Sequence, residues 1–301
     1  MSQPATAANT LTLNETGTQQ VTRGLWSDFW YRLRRHRIGM IGLNIVTVLV
    51  ILAIVGPILA PYDPNVMDFA VRFGAPSLSH PLGTDDFGRD TLSRILIGAR
   101  VSLQVGLIAV TIAAVVGTWL GMMAGYTNRI ADEIIMRAMD VLFAFPAILL
   151  AIAILAALGK GIANAMIAIG IVYIPIFARI ARSSVLTVKR EEYVEAAHAI
   201  GAGRMRILFR HIFPNSLAPL IVEVSLSLAF AILAEAALSF FGLGTQPPDP
   251  SWGRMLSEGR AYIRQSIWMG LFPGLAIMLT VMGFNFLGDG LRDVLDPRMK
   301  S

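Results

Sequence analysis

The chain alternates long apolar runs with short polar ones. Ile38 to Ala60 carries no charge and matches the length that crosses about 30 Å of hydrocarbon. Further apolar runs follow at Val101–Tyr126, Val141–Leu158, Ile162–Ala178, Ser216–Phe241 and Ile267–Leu287. The pattern predicts six membrane-spanning helices and no strands. Pro146 falls near the start of the third span, Pro175 should kink the fourth, and Pro273 breaks the sixth. Gly117, Gly121 and Gly125 repeat every four residues in the second span, a spacing that lets helices in lipid approach closely.

The polar stretches between these runs differ in kind. Residues 61–100 contain His80-Pro81-Leu82-Gly83-Thr84-Asp85-Asp86-Phe87-Gly88-Arg89-Asp90, which shows no helical period and reads as turns, with a helix beginning near Arg89. Its carboxylates do not follow the spacing of an EF-hand loop. Gly159-Lys160-Gly161 and Gly242–Trp252 read as turns, and Gly253–Gln265 as a short helix. Trp26, Trp30 and Tyr31, just before a cluster of arginines, predict an interfacial helix.

The stretch from Arg179 to Phe213 is the polar interval between the fourth and fifth spans. Tyr193, Ala196, Ala197 and Ile200 repeat at three and four residues and predict one helix face. Glu191, Glu192 and Glu195 suit the positive end of that helix. Gly201 suits a left-handed terminus. Met205, Leu208, Phe209 and Ile212 predict a second stripe, with Arg206 and Arg210 on another face. Pro214 closes the segment, and Asn215 is placed to cap the next helix. Taken by itself, this segment also fits a loop lying on lipid headgroups.

Composition sharpens the class. Of 301 residues, 55% are hydrophobic and 15% charged, with a mean hydropathy of +0.62. A soluble domain carries roughly 25% charge, so much of this surface faces lipid. There is no cysteine, and His36, His80, His198 and His211 are scattered, so neither disulfides nor a histidine-rich metal cluster is visible. The net charge of +5 does not point to nucleic acid, because the basic residues flank the apolar runs. Of the 25 Lys and Arg, seventeen fall in residues 1–37, 126–140, 179–213 and 289–301, and eight in the alternate loops. The positive-inside rule then puts both termini and the 179–213 segment in the cytoplasm. Residues 1–22, with no basic start and no apolar core, read as a disordered cytoplasmic tail rather than a secretory signal. The remaining divisions are 23–100 (interfacial segment, first helix and external loop), a 101–288 five-helix core, and a 289–301 cytoplasmic tail.

Glu195-Ala196-Ala197, three residues, Gly201, and a segment ending in Pro214 resemble the "EAA" loop of bacterial ABC importer permeases, departing from it at His211 and Phe213. The run HPLGTDDFGRDTLSRILIGARVSL resembles the C-type subunits of dipeptide and oligopeptide importers, as does the closing GDGLRDVLDPR. The similarity extends from Phe29 to Lys300. It implies the type I importer permease fold with a coupling helix that docks on a cytoplasmic ATPase. It also implies an inner-membrane complex of this chain, a B-type permease, two ATP-binding subunits and an extracytoplasmic substrate-binding protein. Cargo would be dipeptides or oligopeptides, with glutathione or nickel chelates as alternatives. The chain has no Gly-rich phosphate loop followed by Lys-Ser or Lys-Thr, so ATP would be bound by the partner, with no cofactor and no catalytic residue here.

Glu223 and Glu235 stand inside the fifth span, where acids are costly and often face a wet cavity. They are candidates for the translocation path. A second function class, an ion-gradient-driven transporter, would use Glu223, Glu235 and Asp140 as coupling acids. It predicts two similar halves, and no internal repeat is visible. An intramembrane enzyme would need a motif such as His-Glu-x-x-His, which is lacking.

Overall fold

The computed structural model describes residues 25–295, so the predicted tail at 1–22 lies outside the described residues. Among the described residues the chain is helical, without a strand. An amphipathic helix, α1 (Leu25–Arg35), leads into α2 (Arg37–Leu59). Arg34 and Arg35 lie over the rings of Trp30 and Tyr31, as suits a helix at an interface. The elbow between α1 and α2 is held by His36. Its Nδ1 accepts from Gly39 N–H at 3.0 Å, and its Nε2 lies 2.9 Å from Asp293 Oδ2.

The bundle is built on α3 (Thr91–Tyr126). At 1.5 Å per residue its 36 residues reach about 54 Å, far more than a bilayer core needs. The predicted second span is its lower two-thirds. The upper third lies beneath the 61–90 segment. After α4 (Arg129–Phe143) and α5 (Ala147–Leu158), α6 (Ile162–Val188) runs parallel to α3, with Ile174, Ala178 and Val185 meeting Gly117, Gly121 and Gly125 in turn. The glycine repeat forms this seam. A Cβ on Gly121 would lie 2.2 Å from Ala178 O, and one on Gly117 2.6 Å from Ile174 O. Only a hydrogen fits between the two backbones.

The third span differs from its sequence reading. The α4–α5 pair bends by 94° at Ala144–Pro146, so Val141–Leu158 is not one straight helix. Pro146 cannot continue a helix and disfavours helical geometry at Phe145. Alone, α5 spans about 18 Å, too short to cross. Among the described residues, five helices are long and apolar enough to cross a membrane, and the bent pair makes up to six.

The loop from α6 carries α7 (Glu192–Ala199), α8 (Arg204–Ile207), a π-type turn (Leu208–Ile212) and α9 (Phe213–Asn215). The chain then rises through α10 (Leu217–Phe240), crosses over in α11 (Trp252–Ala261), and returns in α12 (Trp268–Leu295). Pro175 and Pro273 lie inside continuous helices and do not break them. Both α6 and α12 outrun their apolar segments, to Val188 and Leu295, because packing on α3 and α2 extends past the hydrophobic stretch. The central core is Val105, Ala109, Ala113, Ala168, Ile169 and Phe177, all at most 1% exposed.

At one end the 61–90 segment closes over α3 and α11. Asp90 caps α3, accepting from Ser93 N–H at 2.8 Å. Asp85 accepts from the backbone N–H groups of Phe87 and Arg89 at 2.9 Å and pairs with the Arg89 guanidinium at 2.6 Å. Arg89 and Arg94 each lie 3.6 Å from Glu258 on α11. Asp85, Asp86, Arg89 and Arg94 are 1–7% exposed. The turn reading of this stretch holds, and its charges form a buried ion-pair network. Trp252, 1% exposed, seals it by donating to Ile95 O at 3.1 Å.

Candidate coupling surface and intramembrane acids

The opposite end carries the Glu195 segment. It is tied to the bundle from two sides. Lys189, after the last turn of α6, donates to Gly125 O at 2.9 Å at the end of α3. Beneath α7 a small core forms from Met122, Val185, Val194, Ile207, Leu208 and Ile212, with the last four residues fully buried.

That core sorts the predicted stripes. Val194 and Ala197, three apart, face inward. Tyr193 and Ala196 are exposed, and Ile200 is 85% exposed, so the face predicted from their spacing is divided between core and surface. Likewise Ile207, Leu208 and Ile212 are buried, while Met205 (61%) and Phe209 (50%) face outward. The cause is the π-type turn. Its Phe213 N–H reaches back to Leu208 O, and it sets Ile207 and Ile212, five apart, on one side. A regular 3.6-residue period does not anticipate that. Val194 was legible as one member of an i, i+3 pair with Ala197.

Gly201 occupies the position expected of it. Its φ is +79°, its N–H bonds His198 O at 3.0 Å, and Ala202 N–H bonds Ala197 O at 3.1 Å. These are the two bonds of a Schellman helix end. A Cβ on Gly201 would meet nothing within 4 Å. The backbone therefore demands glycine, and the space beside it is open. Pro214 is exposed within α9. Asn215 does not cap α10; its amide donates to His211 O at 2.7 Å, and the cap position falls to Ser216.

The resulting surface is apolar at its centre (Tyr193, Ala196, Ile200, Met205, Phe209). It is flanked by exposed Glu191, Glu192 and Glu195 on α7 and exposed Arg204, Arg206 and Arg210 beyond the turn. Arg182, Thr187, Arg190 and Glu191 line a concavity of about 470 Å³ beside it. Exposed apolar or small side chains interspersed along one segment with exposed charges of both signs make a surface suited to another protein.

The two acids of α10 have different settings. Glu235 is 1% exposed, and its carboxylate accepts from Ser102 Oγ at 3.2 Å and Ser239 Oγ at 2.7 Å. Ser239 Oγ in turn accepts from Thr245 N–H at 3.1 Å, which fixes the turn after α10. Glu223 is half-buried and accepts from Ser227 Oγ at 2.8 Å. It lines a cavity of about 540 Å³ between α6, α10 and α12 that also has Asn215, Pro219 and Arg292 in its wall. Arg292 was not singled out in the sequence, where it is one of several charges in the closing stretch. Asp140, the third acid of the gradient-driven reading, lies on α4 and pairs with Arg179 at 2.8 Å, both well exposed. The three acids do not converge.

Comparison with known proteins follows the same lines. Residues 117–301 match the family model described as binding-protein-dependent transport system inner membrane component. Residues 24–79 match that of the N-terminal TM domain of oligopeptide transport permease C. The chain is 50% identical to a dipeptide transport system permease of Alkalihalophilus pseudofirmus over 92% of its length and 91% of that protein. It is 47% identical to a glutathione transport system permease of Pectobacterium atrosepticum, covering 92% of each. A chain from the solved inward-facing MetNI methionine ABC transporter superposes with a TM-score of 0.56 at 17% identity, over 66% of this chain and 94% of that one. At that identity the likeness shows the type I importer permease fold.

Proposed function

The chain belongs to the family of binding-protein-dependent transport system inner membrane components and is a permease subunit of an ABC importer; from that premise we propose that a cytoplasmic ATPase grips its Glu195 end and that its cargo is a short peptide. The observation that carries the first part is the division of α7. Val194 and Ala197 lock it to the bundle, while Glu195, Ala196 and Ile200 stand bare beside the open space at Gly201. Ala197 is then an anchor, and Glu195, Ala196 and Gly201 form the grip. Pro214 holds the return turn. Motion of the ATPase reaches α3 and α6 through Lys189 and the core beneath α7. Such drive works only if the two transport states dock differently.

The charge bias of the loops supports cytoplasmic termini and an extracytoplasmic Asp85 end, where a substrate-binding protein would deliver cargo. The complex on this reading pairs the chain with a B-type permease and two ATP-binding subunits in the inner membrane. The chain itself supplies no catalytic step. A dipeptide permease at 50% identity favours peptides, and the glutathione permease at 47% makes glutathione the competing cargo. Glu235, enclosed by hydroxyls, is read as an anchor for the 241–252 turn, and Glu223 as the acid of the path.

Gly201→Leu tests the grip. A side chain at φ +79° costs about 1–2 kcal/mol locally and fills the open space. Membrane levels should be unchanged, while peptide uptake and co-purification of the ATPase fall at least tenfold. Normal uptake by the variant would overturn the assignment.

A further inference from the structure

The cavity holding Glu223 also carries Arg292, and among the described residues neither is in an ion pair. Among the described residues Glu223 is in no ion pair and has one side-chain hydrogen bond, from Ser227 on its own helix. Arg292 forms no ion pair with a described residue. The two line one cavity, from α10 and α12, without approaching within salt-bridge distance of each other. An acid in a membrane helix is costly unless something compensates it. Glu235, twelve residues on, shows one compensation, a ring of hydroxyls. Glu223 lacks that ring and faces a cavity of about 540 Å³ instead, a size that suits a small solute. The rest of the wall is largely apolar (Ile180, Ala218, Val222, Leu226), so polar recognition falls to the two charges and Asn215.

We propose that this cavity binds a zwitterionic short peptide during passage, Glu223 receiving its terminal ammonium and Arg292 its terminal carboxylate. The assignment rests on the peptide-importer reading and adds the residues that hold the two ends. A guanidinium matches a carboxylate in two parallel hydrogen bonds. A lone carboxylate in an apolar wall gains most from a compact cation. Side chains between the termini meet only apolar wall, so the site reads the ends of a peptide and tolerates its sequence. The same pair of charges would also accept the headgroup of a zwitterionic lipid, and the test separates the two.

The chain has no cysteine, so Ala218→Cys places its single thiol in the cavity wall. Maleimide labelling of this thiol is followed in the assembled importer, nucleotide-free and vanadate-trapped, with dialanine, N-acetyl-dialanine or dialanine amide. Unmodified dialanine should slow labelling at least fivefold in one of the states, and either blocked form less than twofold. Glu223→Gln should raise the half-protecting concentration of dialanine about tenfold without changing labelling in the absence of peptide. It should leave N-acetyl-dialanine unaffected. Arg292→Gln should do the same, with the amide unaffected. Equal protection by blocked and free peptides, or protection in neither state, overturns the proposal. So does labelling that responds to exchanging phosphatidylethanolamine for phosphatidylglycerol nanodiscs and not to peptide. None of these outcomes bears on the Gly201→Leu result, so the two readings fail separately.

Discussion

The two ends of this bundle are both polar, Gly-containing and charged, yet they are finished differently. At the Asp85 end, Asp85, Arg89 and Arg94 are at most 6% exposed and paired with one another and with Glu258. At the Glu195 end, Glu195, Arg206 and Arg210 are exposed beside bare Ile200 and Met205. Buried charges are tolerable only when paired, and at the first end Asp85, Arg89 and Arg94 find their partners within one chain. Exposed charge around an apolar patch is incomplete, and on the reading above an ATPase completes it. On that reading fold and coupling occupy opposite ends of α3 and α6, joined by their glycine seam.

The contrast can be broken most severely at Arg94. Arg94→Met leaves Asp85, Asp86 and Glu258 facing Arg89 and Arg254, and removing one partner of a buried pair costs roughly 3–5 kcal/mol. The 61–90 segment should become protease-sensitive and the protein should accumulate poorly. Intact resistance would show that the network is dispensable. Next comes the seam. Gly121→Val drives a side chain into Ala178 O, and overpacking of this kind costs about 1–3 kcal/mol or more. Thermal unfolding in detergent should shift downward, and transport should fall with it. An unshifted transition would mean that α3 and α6 can separate freely.

The smallest effect sharpens the picture from inside the network. Asp86 Oδ1 is buried without a hydrogen-bond partner, and its nearest cation, Arg89, is 3.7 Å away. Burial, then the neighbouring Asp85 and Glu258, pushes its carboxyl above the usual range. A folded-state value above the unfolded one means that the charged form costs stability. That cost is fully present at neutral pH and is relieved as pH falls through the raised value. Asp86→Asn should therefore be neutral or stabilising by up to about 1 kcal/mol, and should flatten the acid-side rise in stability that Asp86 contributes. Asp85→Asn, which loses the 2.6 Å pair, should destabilise instead. If the two variants behave alike, the pairing read from the geometry is wrong.

The same contrast explains what was legible in the sequence. Span number, the glycine seam, the turns before Arg89 and the left-handed Gly201 followed from local rules, because each depends on hydrophobic length or on one residue's backbone. The 94° bend at Pro146 did not, since proline marks a break without giving its angle. The two apolar stripes predicted at 193–200 and 205–212 are each divided between core and surface, because a π-type turn shifts the period of the second and because Tyr193 and Ile200 are apolar for a surface, not a core. Helix ends at Val188 and Leu295 exceeded the apolar runs because neighbours, not lipid, support the last turns. Pairing Glu223 with Arg292 required tertiary structure, as nothing in a sequence brings positions from α10 and α12 to one cavity.

Thiol accessibility at both ends in one preparation is the most direct measurement. Ile200→Cys and, separately, Leu78→Cys are exposed single thiols on a cysteine-free chain. Labelling is compared in membranes with and without the ATPase subunits. Assembly should protect position 200 at least tenfold and leave position 78 unchanged. Equal labelling of position 200 in both membranes would contradict the claim that this end is built to be gripped.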